Sequence, residues 1–139
     1  GATSAANRIY QLTNDAKAPA DGFGIDEVIY GFNKDSAASA MAKQLAKNFD
    51  GCGERTRTAS VKSAGVKAPA LDGKDLNATS YLVTQRISDS KTVTFRVAVA
   101  AVGNRLVYLM ANPSSGFDFT SSEWKALVGR AAQRATQFG

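Results

Sequence analysis

A chain of 139 residues, 44% hydrophobic and 21% charged, has the size and apolar content of a single globular domain, too apolar for intrinsic disorder and large enough to need no metal or disulfide staple. The formal net charge is +5. The absence of histidine excludes Ser-His and Cys-His nucleophilic chemistry and most transition-metal sites.

The 17 Lys and Arg residues are dispersed along the chain and do not alternate with exposed aromatics, as a binder of single strands requires. They read as solvated surface, and no nucleic-acid partner is expected. The longest apolar run, residues 97–102, is far short of a membrane span. No charged-then-apolar segment opens the chain, so any export signal or membrane tether is expected outside this sequence.

In chain order, residues 1–6 are small and polar and are expected to fray. Residues 7–13 (NRIYQLT) suit a short strand or a helical turn. Residues 14–24 carry Pro19, Gly22 and Gly24 and read as a loop. Residues 25–33 (IDEVIYGFN) read as a strand, with Val28, Tyr30 and Phe32 at alternating positions. Asp35 and Ser36 then supply an N-cap. From there to Phe49 the apolar spacing changes to 3.6, which puts Ala38, Met41, Ala42, Leu45 and Phe49 on one helical face. Gly51 and Gly53 are expected to stop this helix in left-handed conformations.

Cys52 lies just past that helix end. The negative end of the helix dipole disfavours its thiolate, and a single cysteine cannot close an internal disulfide. A small buried hydrophobe is the simplest role for it. Residues 55–64 alternate loosely, as in a half-exposed strand. Residues 66–77, with Pro69, Gly73 and four charged side chains, read as a loop or a short edge segment. Asn77-Ala78-Thr79 is a formal glycosylation sequon, a motif short enough to arise by chance.

Residues 78–111 are the most β-branched and aromatic part of the chain. Turns at 88–91 and at Gly103-Asn104 divide them into three strands. With two-residue loops at both turns, Arg86 opposes Val93, Leu82 opposes Val97 and Val99 opposes Tyr108. One face then carries Leu82, Val93, Phe95, Val97, Val99, Leu106, Tyr108 and Met110, and is core. The other carries Tyr81, Gln85, Arg96, Ala98 and Ala100 among others. Its small residues admit a close neighbour, most simply another layer of the same domain.

After a loop at 112–119, the run Thr120-Ser121-Ser122-Glu123 is a capping box. The helix that it opens runs to about Phe138, with Trp124, Leu127, Val128, Ala131, Ala135 and Phe138 as its apolar stripe. Trp124 reads as a core anchor.

Site chemistry is sparse. Asp26 and Glu27 are adjacent and point to opposite faces of a strand. Asp72 and Asp75 lack calcium-loop spacing, and no glycine pattern forms a phosphate cradle. No catalytic residue, metal ligand or cofactor is expected. A guanidinium inside a sheet does need a partner, however. An internal pair with Glu27 or Asp26, or an edge position, is the simpler account of Arg96. The ligand reading makes Tyr81, Gln85 and Arg96 the candidate binding residues.

The segments DEVIYGFNKDSAASAMAKQLAKNFDGC (26–52), YLVTQRISDSKTVTFRVAVAAVGNRLVYLMA (81–111) and WKALVGRAAQRA (124–135) give the order strand, helix ending at a cysteine, meander and closing helix. That order resembles the extracytoplasmic sensor domain of the mycobacterial PknH-type Ser/Thr kinases, which also occurs in actinobacterial lipoproteins. The resemblance covers roughly residues 26–138. It implies an exported, membrane-tethered, non-catalytic domain that presents a cleft on a mixed α/β fold. Members of that family carry paired cysteines, whereas this chain has Cys52 alone.

The expected fold is α+β: a mostly antiparallel sheet around the meander 79–111, with helices near 35–49 and 120–138 packed mainly on one face. The expected function is an extracytoplasmic ligand- or signal-binding domain, tethered to a kinase or carried by a lipoprotein. Its expected partner is a small ligand or a cell-envelope component. The alternatives are a protein-interaction or inhibitor module that binds through an exposed sheet face or edge, and, behind it, a hydrolase whose base is Lys, Asp or Glu.

Overall fold

Alternating apolar residues lay down six strands and two amphipathic segments form helices in the computed structural model, which describes residues 1–12, 16, 23–52, 59–71, 74–113 and 117–138. The strands are β1 (Ser4–Gln11), β2 (Gly24–Gly31), β3 (Ala59–Leu71), β4 (Lys74–Arg86), β5 (Thr92–Val102) and β6 (Arg105–Ala111). Among the described residues the helices are α1 (Asp35–Asp50) and α2 (Ser121–Thr136). Every neighbouring pair of strands is antiparallel, and the order across the sheet is β1-β2-β6-β5-β4-β3. The α+β class and the antiparallel sheet around the meander are as expected.

The helices do not share a face. α1 covers a cluster built on Tyr81, Val97, Val99 and Leu106. α2 covers the opposite cluster, built on Ala98, Ala100, Val107 and Leu109. The expectation of helices mainly on one face is therefore corrected to one helix on each side. The physical reason lies in β5, where residues 97–100 are buried in succession. A run that is apolar at consecutive positions belongs to a strand covered on both faces.

The two meander turns differ. At Gly103-Asn104 the loop has two residues, with Gly103 at φ 54 and Val102 paired to Arg105, so Val99 opposes Tyr108 as expected. The other loop spans five residues, 87–91, and the amides of Ile87 and Ser88 both donate to the Lys91 carbonyl at 2.8 and 3.2 Å. Arg86 then pairs with Thr92 and Tyr81 with Val97, one residue away from the expected register. Because side chains alternate, that single step turns β4 over. Tyr81 and Val83 join Val97 and Phe95 on the α1 face, and Leu82 comes to oppose Arg96.

Smaller corrections have local causes. Residues 4–6, expected to fray, belong to β1, and the Thr3 amide donates to the Gly31 carbonyl at 2.8 Å. Residues 66–71 and 74–77, expected as a loop or a short edge segment, are the paired outer ends of β3, at the sheet edge, and β4. Their register shifts between Ala68 and Leu71, around Pro69, on an edge strand where a missing amide is tolerated. The N-cap of α1 is Lys34, without a side-chain cap bond, and Asp35 lies inside the first turn. Gly51 ends that helix at φ −83, a right-handed rather than left-handed conformation. Met41, expected on the buried stripe, is exposed. Gly53, Asp72, residues 14–15 and 17–22 of the expected loop and the start of the strand expected from Arg55 lie outside the described residues.

α2 begins as its sequence dictates. The Glu123 amide donates to the Thr120 hydroxyl at 3.3 Å, and the Thr120 amide donates to the Glu123 carboxylate at 2.7 Å. One turn in, Trp124 is buried against the alanine floor, and its indole N–H donates to Ser80 Oγ at 2.7 Å. Trp124→Ala removes both the packing and the bond, and is expected to lower unfolding free energy by about 3–5 kcal/mol in urea titrations. A loss below about 1 kcal/mol would show that α2 is not anchored there.

Candidate functional site

The three residues singled out from sequence do not converge. Tyr81 and Gln85 lie on the α1 face, Gln85 exposed beside the 87–91 loop. Tyr81 is buried and stacks on Phe49, with ring centroids 4.7 Å apart. Its hydroxyl finds no hydrogen-bond partner among the described residues. Burial pushes that phenol above its ordinary value, the Asp50 charge adds to the effect, and the nearby Thr79 side chain opposes it.

Arg96 is on the other face, and α2 covers the small-residue surface where a ligand cleft was one possibility. Its guanidinium grips Asp118 in a two-pronged contact, Nε to Oδ1 at 2.6 Å and a terminal nitrogen to Oδ2 at 2.7 Å. The pairing partner comes from the β6–α2 connection rather than from Asp26 or Glu27. Asp118 Oδ1 also accepts from the Phe119 amide at 2.7 Å. Nearby, Phe23, Phe119 and Trp124 pack in series, with centroid distances of 5.1 and 5.8 Å. Arg96 thus fixes the approach to α2.

Among the described residues, three concave surfaces lie beside β1 and β2 instead. α1 and α2 make their close backbone approaches to β3–β6. β1 is exposed along nearly its whole length, with Ile9 64% and Tyr10 40% accessible. On the α1 side this leaves a cleft of about 330 Å³. Ile9, Phe95 and Met110 give it an apolar floor, and Gln11, Asp26 and Asn112 supply polar groups. Asn112 is held by the Gly24 amide, which donates to its Oδ1 at 3.3 Å. A side chain at Gly24 would bring Cβ to 2.6 Å from the Tyr10 carbonyl, so glycine permits the close pairing of β1 and β2 at this wall.

On the α2 side runs a groove with two lobes, of about 240 and 180 Å³, which share Glu27 and Arg134. Glu27 alternates with Ile25, Ile29 and Gly31 on the face turned to α2 and is only 1% exposed. Arg134 reaches it from α2, Nε donating to Oε1 at 3.1 Å and a terminal nitrogen donating to Oε2. The guanidinium also lies over the Tyr10 ring, 5.6 Å from its centroid. The bond to Glu27 is the main cause that raises the Arg134 pKa above its ordinary value, so the group stays charged at any physiological pH.

The reading of Asp26 and Glu27 as pointing to opposite faces holds, and each borders a different concavity. The groove itself was missed. Its signals were an acid in the apolar row of a strand and arginines four residues apart on the last helix, at Arg130 and Arg134.

No protein-family model matches the chain, and no curated protein matches it. Among solved structures, a Pseudomonas aeruginosa protein of unknown function is similar at a TM-score of 0.49 and 13% identity, covering 98% of this chain and 83% of that one. Among the described residues, no helix is long and apolar enough to cross a membrane.

Two outcomes follow from the ion pairs. Arg134→Met strands the Glu27 carboxylate in the interior and is expected to cost about 3–5 kcal/mol of unfolding free energy, whereas the double change Glu27→Leu with Arg134→Met recovers most of it. Equal losses in the single and double variants would contradict this. The Asp118 carboxyl is held below its ordinary value of 3.8, first by the bond from Arg96. A carboxyl more acidic in the folded state stabilises above its unfolded pKa and loses that contribution as pH falls through the folded one. Stability should therefore decline below about pH 4, and Asp118→Asn should flatten that part of a denaturation-midpoint profile. A profile unchanged by the substitution would deny the pair a role.

Proposed function

We propose that this chain is a non-catalytic ligand- or signal-binding domain of the kind that a membrane-tethered kinase or a lipoprotein displays outside the cytoplasm. The carrying observation is the α1-face cleft of about 330 Å³. Its apolar floor with a few convergent polar groups has the make-up of a small-molecule site. The resemblance of residues 26–138 to PknH-type sensor domains supports the same reading. So does the lack of histidine, which leaves few routes to an activated nucleophile.

A second reading has its own observation. β1 is an edge strand with exposed Ile9 and Tyr10, and an open apolar edge can accept a strand from a partner protein.

Thermal-shift screening against extracted cell-envelope small molecules separates the two. A ligand at about 100 times its Kd adds roughly 2.7 kcal/mol of stability, which raises the Tm by several degrees. Met110→Arg fills the cleft floor and should abolish that shift, while Tyr10→Lys, on the opposite face of β1, should leave it intact. No Tm shift with any fraction, together with capture of a protein partner that Tyr10→Lys prevents, would overturn the small-ligand reading in favour of the edge. The sequence upstream in the full-length gene tests the location. A lipobox, or a kinase domain followed by a membrane span, supports it, and a start codon directly before residue 1 defeats it.

A further inference from the structure

Among the described residues that line it, the groove between β1 and α2 holds more positive charge than its one carboxylate accounts for. Glu27 and Arg134 satisfy each other. Arg8 stands directly across from Glu27 in the β1–β2 register and borders the larger lobe. Arg130, one helical turn before Arg134, borders the smaller lobe. The side chains of Arg8 and Arg130 form no hydrogen bond or ion pair with another described residue. Arginines four apart on one helix face repel each other, and a third cation across the groove adds to that repulsion. An anion seated among the three relieves it.

The groove is not simply polar. Tyr10, Ile25, Leu109 and Leu127 line the smaller lobe beside Arg130. Arg134 stands between this apolar lobe and the lobe that Arg8 borders, its side chain 33% exposed after Glu27 has claimed two of its nitrogens. Cationic groups at the mouth of an apolar recess are complementary to one chemistry, an anionic head on an apolar body.

We infer that this groove binds an anionic amphiphile. Its phosphate or carboxylate sits over Arg134 between Arg8 and Arg130, and its hydrocarbon enters the lobe lined by Tyr10, Ile25, Leu109 and Leu127. The site lies on the opposite face of the sheet from the Asp26 cleft, so either can fail without the other.

Calorimetric titration at low ionic strength tests it, with hexyl phosphate, inorganic phosphate and 1-hexanol as probes. Hexyl phosphate is expected to bind more tightly than either of the others. Arg8→Gln and Arg130→Gln, both at exposed positions without internal bonds, should each weaken it about tenfold with an unchanged Tm. Vesicles of phosphatidylglycerol set against phosphatidylcholine separate the sources. Arginine-dependent binding to the anionic vesicles identifies a lipid headgroup, and binding of free hexyl phosphate without vesicle binding identifies a diffusible amphiphile. The inference is overturned if hexyl phosphate does not bind, if both variants bind it as well as the unchanged chain, or if inorganic phosphate or 1-hexanol matches it.

Discussion

The close seating of α2 on an alanine floor is the contact on which the rest of the structure depends. Ala131, Ala132 and Ala135 of the helix meet Ala78, Ala98, Ala100 and Ala111 of the sheet, all essentially buried. Small residues on both sides let the helix axis come near the sheet, and every longer side chain that leaves α2 is aimed by that distance. Trp124 reaches Ser80 at one end, and Arg134 reaches Glu27 near the other. A larger side chain at Ala98 or Ala100 would lift the helix and lengthen both contacts together, because close-packed interiors transmit such changes.

The same stripe shows how far the sequence could be read. Ala98 and Ala100 marked a surface built for a close neighbour, and α2 is that neighbour. The capping box at Thr120 and the two-residue turn at Gly103 were equally legible, since each is fixed by residues adjacent in the chain. Register at the other turn was not. Ile87 continues the β pattern, and nothing local says that the loop takes five residues instead of two. The resulting step of one residue carried Tyr81 from the surface where a ligand was sought to the α1 core, where Phe49 stacks on it. A candidate site read across strands inherits the error of every turn between them.

Glu27 illustrates a different limit. The alternation of β2 places it in the sheet's covered face, where a lone carboxylate would be untenable. Its partner Arg134 is 107 residues away in sequence, and local pattern reasoning has no reach at that distance. The pair is also weak evidence of stability in itself, since two apolar side chains of similar size would serve as well. What it does confer is position. It ties the last turns of α2 to β2 and through it to the exposed strand β1, and it holds Arg134 at the boundary between the two lobes of the groove.

Both concavities follow from a mismatch of widths. Six strands at about 4.8 Å spacing span roughly 24 Å between the outermost axes, while a helix with its side chains is about 10 Å across. The described helices make their close backbone approaches to β3–β6, four of the six strands. The uncovered part falls where the helices do not lie, which here is beside β1 and β2 on both faces. There the sheet must either be polar or be met by something else. It is not uniformly polar: Ile9 and Met110 face one side, and Tyr10 and Ile25 the other. Charge differs between the two sides as well: among the described residues, Asp26 is the charged group lining the first concavity, and three arginines and Glu27 line the second. A sheet too wide for its helices thus presents two recesses of unlike character, separated only by the thickness of one β-hairpin.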